Sequence, residues 1–290
     1  MRIAVIGGGN GGLATMAELW LAGHEVALHA RREETLAPLR AAGIGFLGVL
    51  GEGVARPALL TVDLAEAVRG ADAIVVALPT LAHAGVARAL HAAGVRDVPV
   101  ILNPAHTGGL FEVETVFRSL GGPVPPLAGF STLAYVARKP APDRVNITGR
   151  AQSLRAACLP GGEAAVSLAC ALFPGAHDCG SVLASDLSNV NMIVHPPGSV
   201  TGIAWVESTG GDFTFYVQGL TPGVLAIMRA LDAERRAIAA AYGLSLPTVI
   251  GEMKAIGTVP ADAADDDYAA IAAGEANRRI KAPDSLGHRY

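Results

Sequence analysis

Cysteine is scarce in this sequence. Cys158, Cys170 and Cys179 are the full complement, no two stand in a C-x-x-C spacing, and three cannot all pair. A disulfide framework and a cysteine metal site are therefore not supported, and the three read as small buried hydrophobes in a reducing compartment. The eight histidines fall in no metal-ligand spacing, and no Ser-His-Asp or Cys-His arrangement is legible, so no metal is expected. Charge is thin at 17% of residues, with 22 Lys+Arg against 26 Asp+Glu and no long run of either sign. That balance argues against a nucleic-acid or polybasic membrane surface and leaves small molecules as the expected partners. Missing as well are the roughly 20 uninterrupted apolar residues that a spanning helix needs. The longest greasy stretch, 71–89, is broken by Pro79, His83, Gly85 and Arg88. The N-terminal apolar run is too short for a signal peptide, so the expected location is cytoplasmic.

What is present is apolar: 51% of the 290 residues are hydrophobic, and the mean hydropathy is +0.40. A chain of this length is expected to form two domains, each with its own core. The first thirty residues say most. A β-branched run over 2–6 enters Gly7-Gly8-Gly9-Asn10-Gly11-Gly12, residues 13–22 read as a helix with Leu13, Met16, Ala17 and Trp20 on one face, and 25–29 reads as a second strand. Further strands over 73–78 and 98–102 alternate with helices, one capped by Asp63 and one over 84–93. Such alternation predicts an α/β fold with a doubly wound parallel sheet. Between Gly121 and Pro160, strand-like pieces over 133–136 and 145–148 are expected to extend that sheet at its edge. Past about residue 180 strand signals fade. The expected division is thus 1–180, a dinucleotide-binding Rossmann domain, and 181–290, an all-helical domain. Its clearest helix starts at Thr221-Pro222 and runs to Tyr242, with Val224, Leu225, Met228, Leu231, Ile238 and Tyr242 as the core stripe.

Gly7-x-Gly9-x-x-Gly12 has the dinucleotide fingerprint spacing in the strand–turn–helix context that gives it meaning. A pyrophosphate must approach the backbone at a helix N-terminus, where N–H groups and the dipole favour anions and a Cβ would intrude. Gly7, Gly9, Asn10, Gly11 and Gly12 are the expected contacts. NAD-preferring folds place an acid about 20 residues further on, at the ribose 2′-hydroxyl. Here that place is taken by Ala30, followed by Arg31 and Arg32. An acid would repel a 2′-phosphate whereas guanidinium groups can clamp one, so the expected cofactor is NADP, with NAD second.

In the second half, Asn191 and His195 stand i,i+4 in an otherwise apolar segment followed by Pro196-Pro197-Gly198. Helical spacing stacks their side chains, and the prolines are expected to end the helix at His195. Histidine is the natural proton donor and acceptor near neutral pH.

These features resemble the octopine/nopaline (opine) dehydrogenase family. The resemblance is carried by the Gly-x-Gly-Asn-Gly-Gly turn, Leu102-Asn-Pro-Ala-His-Thr-Gly-Gly109, Asn191…His195-Pro-Pro-Gly, Phe213-Thr-Phe-Tyr216, Leu231-Asp-Ala-Glu-Arg235 and Lys281-Ala-Pro-Asp-Ser-Leu-Gly-His-Arg-Tyr290, in order along nearly the whole chain. It implies a Rossmann domain joined to a helical domain with the active site between them, and reductive condensation of an amino acid with a 2-keto acid. It makes His195 the acid/base residue, with Asn191 orienting substrate or ring, and gives Arg289 a substrate carboxylate. Asn103, Pro104, Leu78, Pro79 and Thr80, at strand ends, are implied where nicotinamide meets substrate. Family members continue past the Arg-Tyr block into a Glu-Asp motif whose aspartate partners the histidine. The sequence ends at Tyr290, which implies either a shortened chain or a histidine without that carboxylate. Two other readings remain open here. A ketopantoate-reductase-like or hydroxyacid dehydrogenase would need a lysine from the helical half, and Lys254 and Lys281 lie in no motif for that role; a dinucleotide-binding sensor would need no chemistry. A greasy helical domain is also compatible with a homodimer.

Overall fold

The computed structural model describes residues 1–275, 277–285 and 287, and the chain divides into two compact units, Met1–Asp186 and Leu187–Tyr290. In the first, the elements run β1 (Arg2–Ile6), α1 (Asn10–Leu21), β2 (Glu25–His29), α2 (Glu33–Ala42), β3 (Ile44–Gly48), β4 (Gly53–Ala55), β5 (Leu59–Thr61), α3 (Leu64–Val68), β6 (Ala73–Val76), α4 (His83–Ala92), β7 (Val100–Leu102) and α5 (Gly109–Ser119). They continue with β8 (Leu127–Phe130), β9 (Tyr135–Ala141), β10 (Arg144–Arg150), β11 (Leu154–Cys158), α6 (Glu163–Leu172) and β12 (Ala176–Asp178).

The main sheet has the order β12-β11-β8-β7-β6-β1-β2-β5. Its centre is parallel, and only the β8–β11 pairing runs antiparallel. β1, β6 and β7 are buried throughout apart from Arg2, as continuous β-branched and aliphatic runs on the middle of a parallel sheet should be. Asp63 caps α3 through its carboxylate, which accepts from the amides of Ala65 and Glu66.

The strand-like pieces in 133–148 do not extend that sheet. They form β9 and β10, which join β3 and β4 in a separate sheet ordered β4-β3-β10-β9. This second sheet accounts for α1 as well. A single apolar stripe was expected, yet every residue from Gly12 to Leu19 is buried, because strands cover α1 on both sides. Glu18, on the far side, is satisfied there by the Tyr135 hydroxyl and by Arg150 at 2.7 Å.

Helix α7 (Val182–Leu187) spans the division, and the second unit then carries α8 (Asn191–Thr201), α9 (Ile203–Thr209), α10 (Pro222–Ala241), α11 (Val249–Ala255) and α12 (Ala270–Ala273). Its core includes Val194, Phe215, Tyr216, Met228, Ile250 and Ile271. α10 departs from the expected stripe: Ile238 is 50% and Tyr242 70% exposed, while Asp232 and Arg235 are buried in their stead. Arg235 Nε donates to Asp232 at 2.7 Å and its Nη1 to the Leu187 carbonyl at 2.9 Å. The Tyr268 hydroxyl and the Val249 amide donate to the other Asp232 oxygen at 2.6 and 3.0 Å. Contact with Asp232, on top of burial, raises the Tyr268 phenol pKa. A buried charge pair is retained only where its lone pairs and protons are so met, and periodicity alone does not reveal one.

Candidate functional site

In the first unit the glycine turn links β1 to α1. Gly9 is the N-cap of α1, with no side-chain cap and no acidic residue in the first turn, so the positive end of the helix is left for an external anion. The glycines divide by what a Cβ would meet. At Gly12 it would lie 1.7 Å from the Gly7 carbonyl oxygen, and at Gly7, where φ is +132°, 2.5 Å from that of Ala77, so these two positions are closed by the protein's own backbone. At Gly9 nothing lies within 4 Å, and the residue is exposed. A glycine that nothing in the protein requires, at the tip of an uncapped helix, is what close approach of a phosphate would need.

Gly7 also meets the end of β6. Its Cβ direction points at Leu78 Cδ2, 3.1 Å away, so the structure brings together the glycine turn and the Leu78-Pro79-Thr80 segment. Gly8 faces the end of β2, where Ala30 Cβ and Thr35 Cγ2 would be 3.1 and 2.7 Å from its Cβ. Arg31 and Arg32 follow there, both exposed and neither in an ion pair with a described residue, while Glu33 is bound to Arg40.

Asn103 closes β7 and precedes the cis peptide to Pro104. It is fully buried, donating to Thr15 Oγ1 at 3.2 Å and accepting from the Ala134 amide at 3.0 Å. Its amide is thus bonded to protein groups, and Asn103 pins the strand end to α1. Pro104 is buried beside it.

In the second unit, Asn191 begins α8 and His195 lies one turn later on the same helix. The helix does not stop at His195 but continues through Pro196 and Pro197 to Thr201, an exception to the proline rule. Proline costs a helix interior ~3 kcal/mol; here Ile193, Val194, Pro197 and Gly198 are all buried, and core packing outweighs local preference. Gly198 makes room for Phe215, whose Cζ would stand 2.8 Å from a Cβ at that position. Phe215 in turn sets its edge toward the His195 ring, with centroids 6.0 Å apart.

One partner of the histidine is Tyr216, whose hydroxyl lies 2.8 Å from His195 Nε2. Tyrosine is 6% exposed there, so its hydroxyl needs such a partner. Either group can donate, according to the imidazole tautomer. The sequence gives Tyr216 no role beyond its place in the Phe213–Tyr216 block; the signal available there is a phenol hydroxyl in a largely aromatic segment. Arg289 lies outside the described residues. Lys254 and Lys281, the lysines a hydroxyacid-type reductase would draw on, are bound to Asp265 and Asp212. Among the described residues no cluster of His, Cys, Asp or Glu could hold a metal, and no helix is long and apolar enough to cross a membrane.

Comparison with known proteins agrees with both halves. Residues 178–290 match the NAD/NADP octopine/nopaline dehydrogenase alpha-helical domain, and residues 2–101 the coenzyme F420-dependent NADP oxidoreductase family. The fold is shared with an octopine dehydrogenase solved in complex with NADH and agmatine, at TM-score 0.75 and 20% identity over 100% of this chain and 80% of that one. It is shared also with an NADP+-bound yersinopine dehydrogenase, at TM-score 0.76 and 14% identity over 98% and 78%. An opine dehydrogenase of Arthrobacter sp. (strain 1C) is 33% identical over 99% of this chain and 80% of its own length. A Rossmann unit with a dinucleotide-binding turn, a helical unit carrying a part-buried histidine–tyrosine pair, and one third identity over almost every residue place the chain in the opine dehydrogenase family.

Proposed function

We propose that the protein is an NADP-dependent opine-type dehydrogenase that joins an amino acid to a 2-keto acid by reductive condensation. The reading rests above all on the His195–Tyr216 pair, a proton-carrying couple that joins α8 to the 213–216 segment in a chain of this family. Condensation of an amine with a 2-keto acid expels water and leaves an imine, and reduction of the imine carbon gives a secondary-amine dicarboxylate. When bound, the nicotinamide supplies the hydride for that reduction.

The chain's own residues supply the rest. His195 carries the proton that the carbonyl oxygen needs as it leaves, and Tyr216 holds the imidazole through Nε2. Asn191, one turn earlier on α8, orients substrate or ring. Arg289 is the guanidinium for a substrate carboxylate, since two anionic substrates need a fixed cation and a planar fork also aligns them. Gly7, Gly9, Asn10, Gly11 and Gly12 hold the pyrophosphate at the α1 N-terminus, with Leu78, Pro79, Thr80 and Pro104 toward the nicotinamide. Ala30 cannot accept from a ribose 2′-hydroxyl, and Arg31 and Arg32, which form an ion pair with no described residue, favour a 2′-phosphate, which supports NADP over NAD.

The test is loss of absorbance at the nicotinamide band with a panel of keto acids and amino acids, separately and together, using NADPH and NADH. Oxidation is expected only when amine and keto acid are both present, and faster with NADPH. Equal oxidation with keto acid alone would mark a hydroxyacid dehydrogenase, and tight binding without turnover in any mixture would mark a sensor.

A further inference from the structure

The chain has three lysines. Lys254 and Lys281 sit in ion pairs in the second unit, whereas Lys139, on β9 of the small sheet, has no carboxylate partner among the described residues. Its ammonium instead reaches the glycine turn, where Nζ donates to the carbonyl oxygen of Gly8 at 3.3 Å. That is a long, neutral contact for a cation, and no other hydrogen bond of this ammonium is present among the described residues.

Several independent placements bring Lys139 to this spot. Residues 135, 137 and 139 share one side of β9 by strand alternation. Tyr135 is bound on that side to Glu18 of α1, Ala137 is buried, and Leu133, just before the strand, packs on Gly11. The same face that clamps α1 therefore carries the lysine to the turn before it. Gly8 itself abuts Ala30, whose neighbours Arg31 and Arg32 also lack a partner among the described residues. Burial lowers the Lys139 pKa, and Asp143 in the β9–β10 turn opposes that shift without forming an ion pair. A half-buried ammonium resting on a carbonyl, beside a helix N-terminus and at a glycine that abuts the Ala30-Arg31-Arg32 segment, is a cation placed for an anion that the described residues do not provide.

We propose that Lys139 is a phosphate-binding residue of the dinucleotide site, contributed by the second sheet across α1, and that its ammonium moves from the Gly8 carbonyl to a phosphoryl oxygen of the cofactor. The inference rests on the dinucleotide-binding reading above but not on the preference for NADP. Gly8 stands between the α1 terminus and the end of β2, so the phosphate is the pyrophosphate or the 2′-phosphate, and both offer the same chemistry.

The experiment is fluorescence titration of the full chain with NADPH and with NADH, for wild type, Lys139→Gln and Lys139→Arg, at two salt concentrations. Thermal midpoints are taken with and without dinucleotide. A charge-assisted hydrogen bond of this kind corresponds to roughly a 10-fold weakening or more in the Gln variant, with a shallower salt dependence, an unchanged midpoint without dinucleotide and recovery in the Arg variant. Loss for NADPH alone assigns the 2′-phosphate, and equal loss for both dinucleotides assigns the pyrophosphate; either supports the proposal. Unchanged Kd values in Lys139→Gln, or a loss matched by a lower midpoint without dinucleotide and not recovered by Arg, would overturn it. Wild type that prefers NADH would overturn the NADP assignment and leave the Lys139 arms readable, whereas wild type that binds neither dinucleotide would overturn both.

Discussion

The two units build their functional residues by opposite means. In the first, the groups that fit the cofactor are mostly backbone: an uncapped helix N-terminus and glycines whose missing Cβ atoms leave room for a neighbouring carbonyl or an approaching phosphate. In the second the candidate is a side chain held by other side chains, His195 by Tyr216 and Phe215, just as the core of that unit holds Arg235 by Asp232. Backbone sites are encoded locally, by glycine spacing. Side-chain sites are encoded by packing between segments far apart in sequence.

The largest expected departure lies in the second unit. Asp232→Ala leaves the Arg235 guanidinium buried without its carboxylate and removes the acceptor of Tyr268 and Val249. Losing one partner of such a pair costs about 3–5 kcal/mol. Urea denaturation should show that loss in signals from the helical unit; an undiminished midpoint would mean the network does not hold the unit together.

Next in size, the glycine turn separates fold from function. Gly12→Ala forces a Cβ into the Gly7 carbonyl and should destabilise the first unit by at least about 1–3 kcal/mol, as overpacking does. Gly9→Ala meets no protein atom within 4 Å, so it should leave the thermal midpoint within about 0.5 kcal/mol of wild type yet weaken dinucleotide binding. Equal Kd values for Gly9→Ala and wild type would remove the pyrophosphate from this tip.

The smallest effect concerns pH. His24, His29 and His83 of the first unit are all lowered from 6.5, with burial the main cause; for His83 the Glu112 charge opposes the shift. A group whose folded pKa is depressed leaves the unfolded chain binding the extra proton, so stability is unaffected above 6.5 and falls as pH drops below it. His83 is fully enclosed, and that burial is what disfavours its charged form. Denaturation midpoints at pH 7.5 and 5.5 should converge in a His83→Leu variant relative to wild type, and an unchanged pH response would show that His83 takes up its proton in the folded state.

Much of the first unit was legible because parallel strands, glycine turns and caps are local signals. The β1–α1–β2 unit, the Asp63 cap and the strands at 73 and 98 follow from runs and breakers alone. The second sheet was not, since β9 and β10 look like any strands and nothing local says that they pair with β3 and β4 to cover α1. In the helical unit the segment from 222 was readable, but its stripe was not, because Asp232 and Arg235 enter the core as a pair that hydrophobic periodicity scores as surface. The proline pair misled for a related reason: its local cost is real, and burial of α8 exceeds it. Tyr216 was hidden because its partner is 21 residues away. Asn103 stands at the strand end expected of it, and its amide bonds to Thr15 and Ala134 are long-range contacts that no local pattern gives.

We assign cofactor binding to the first unit and proton transfer to His195 in the second. The decisive variant is His195→Ala, measured twice on one preparation: NADPH affinity by fluorescence titration, and turnover with amine plus keto acid. General acid–base catalysis is worth on the order of 10²–10⁴ in rate, so an unchanged Kd is expected with turnover lost by that factor. Turnover that survives the substitution, or affinity that falls with it, would overturn that assignment.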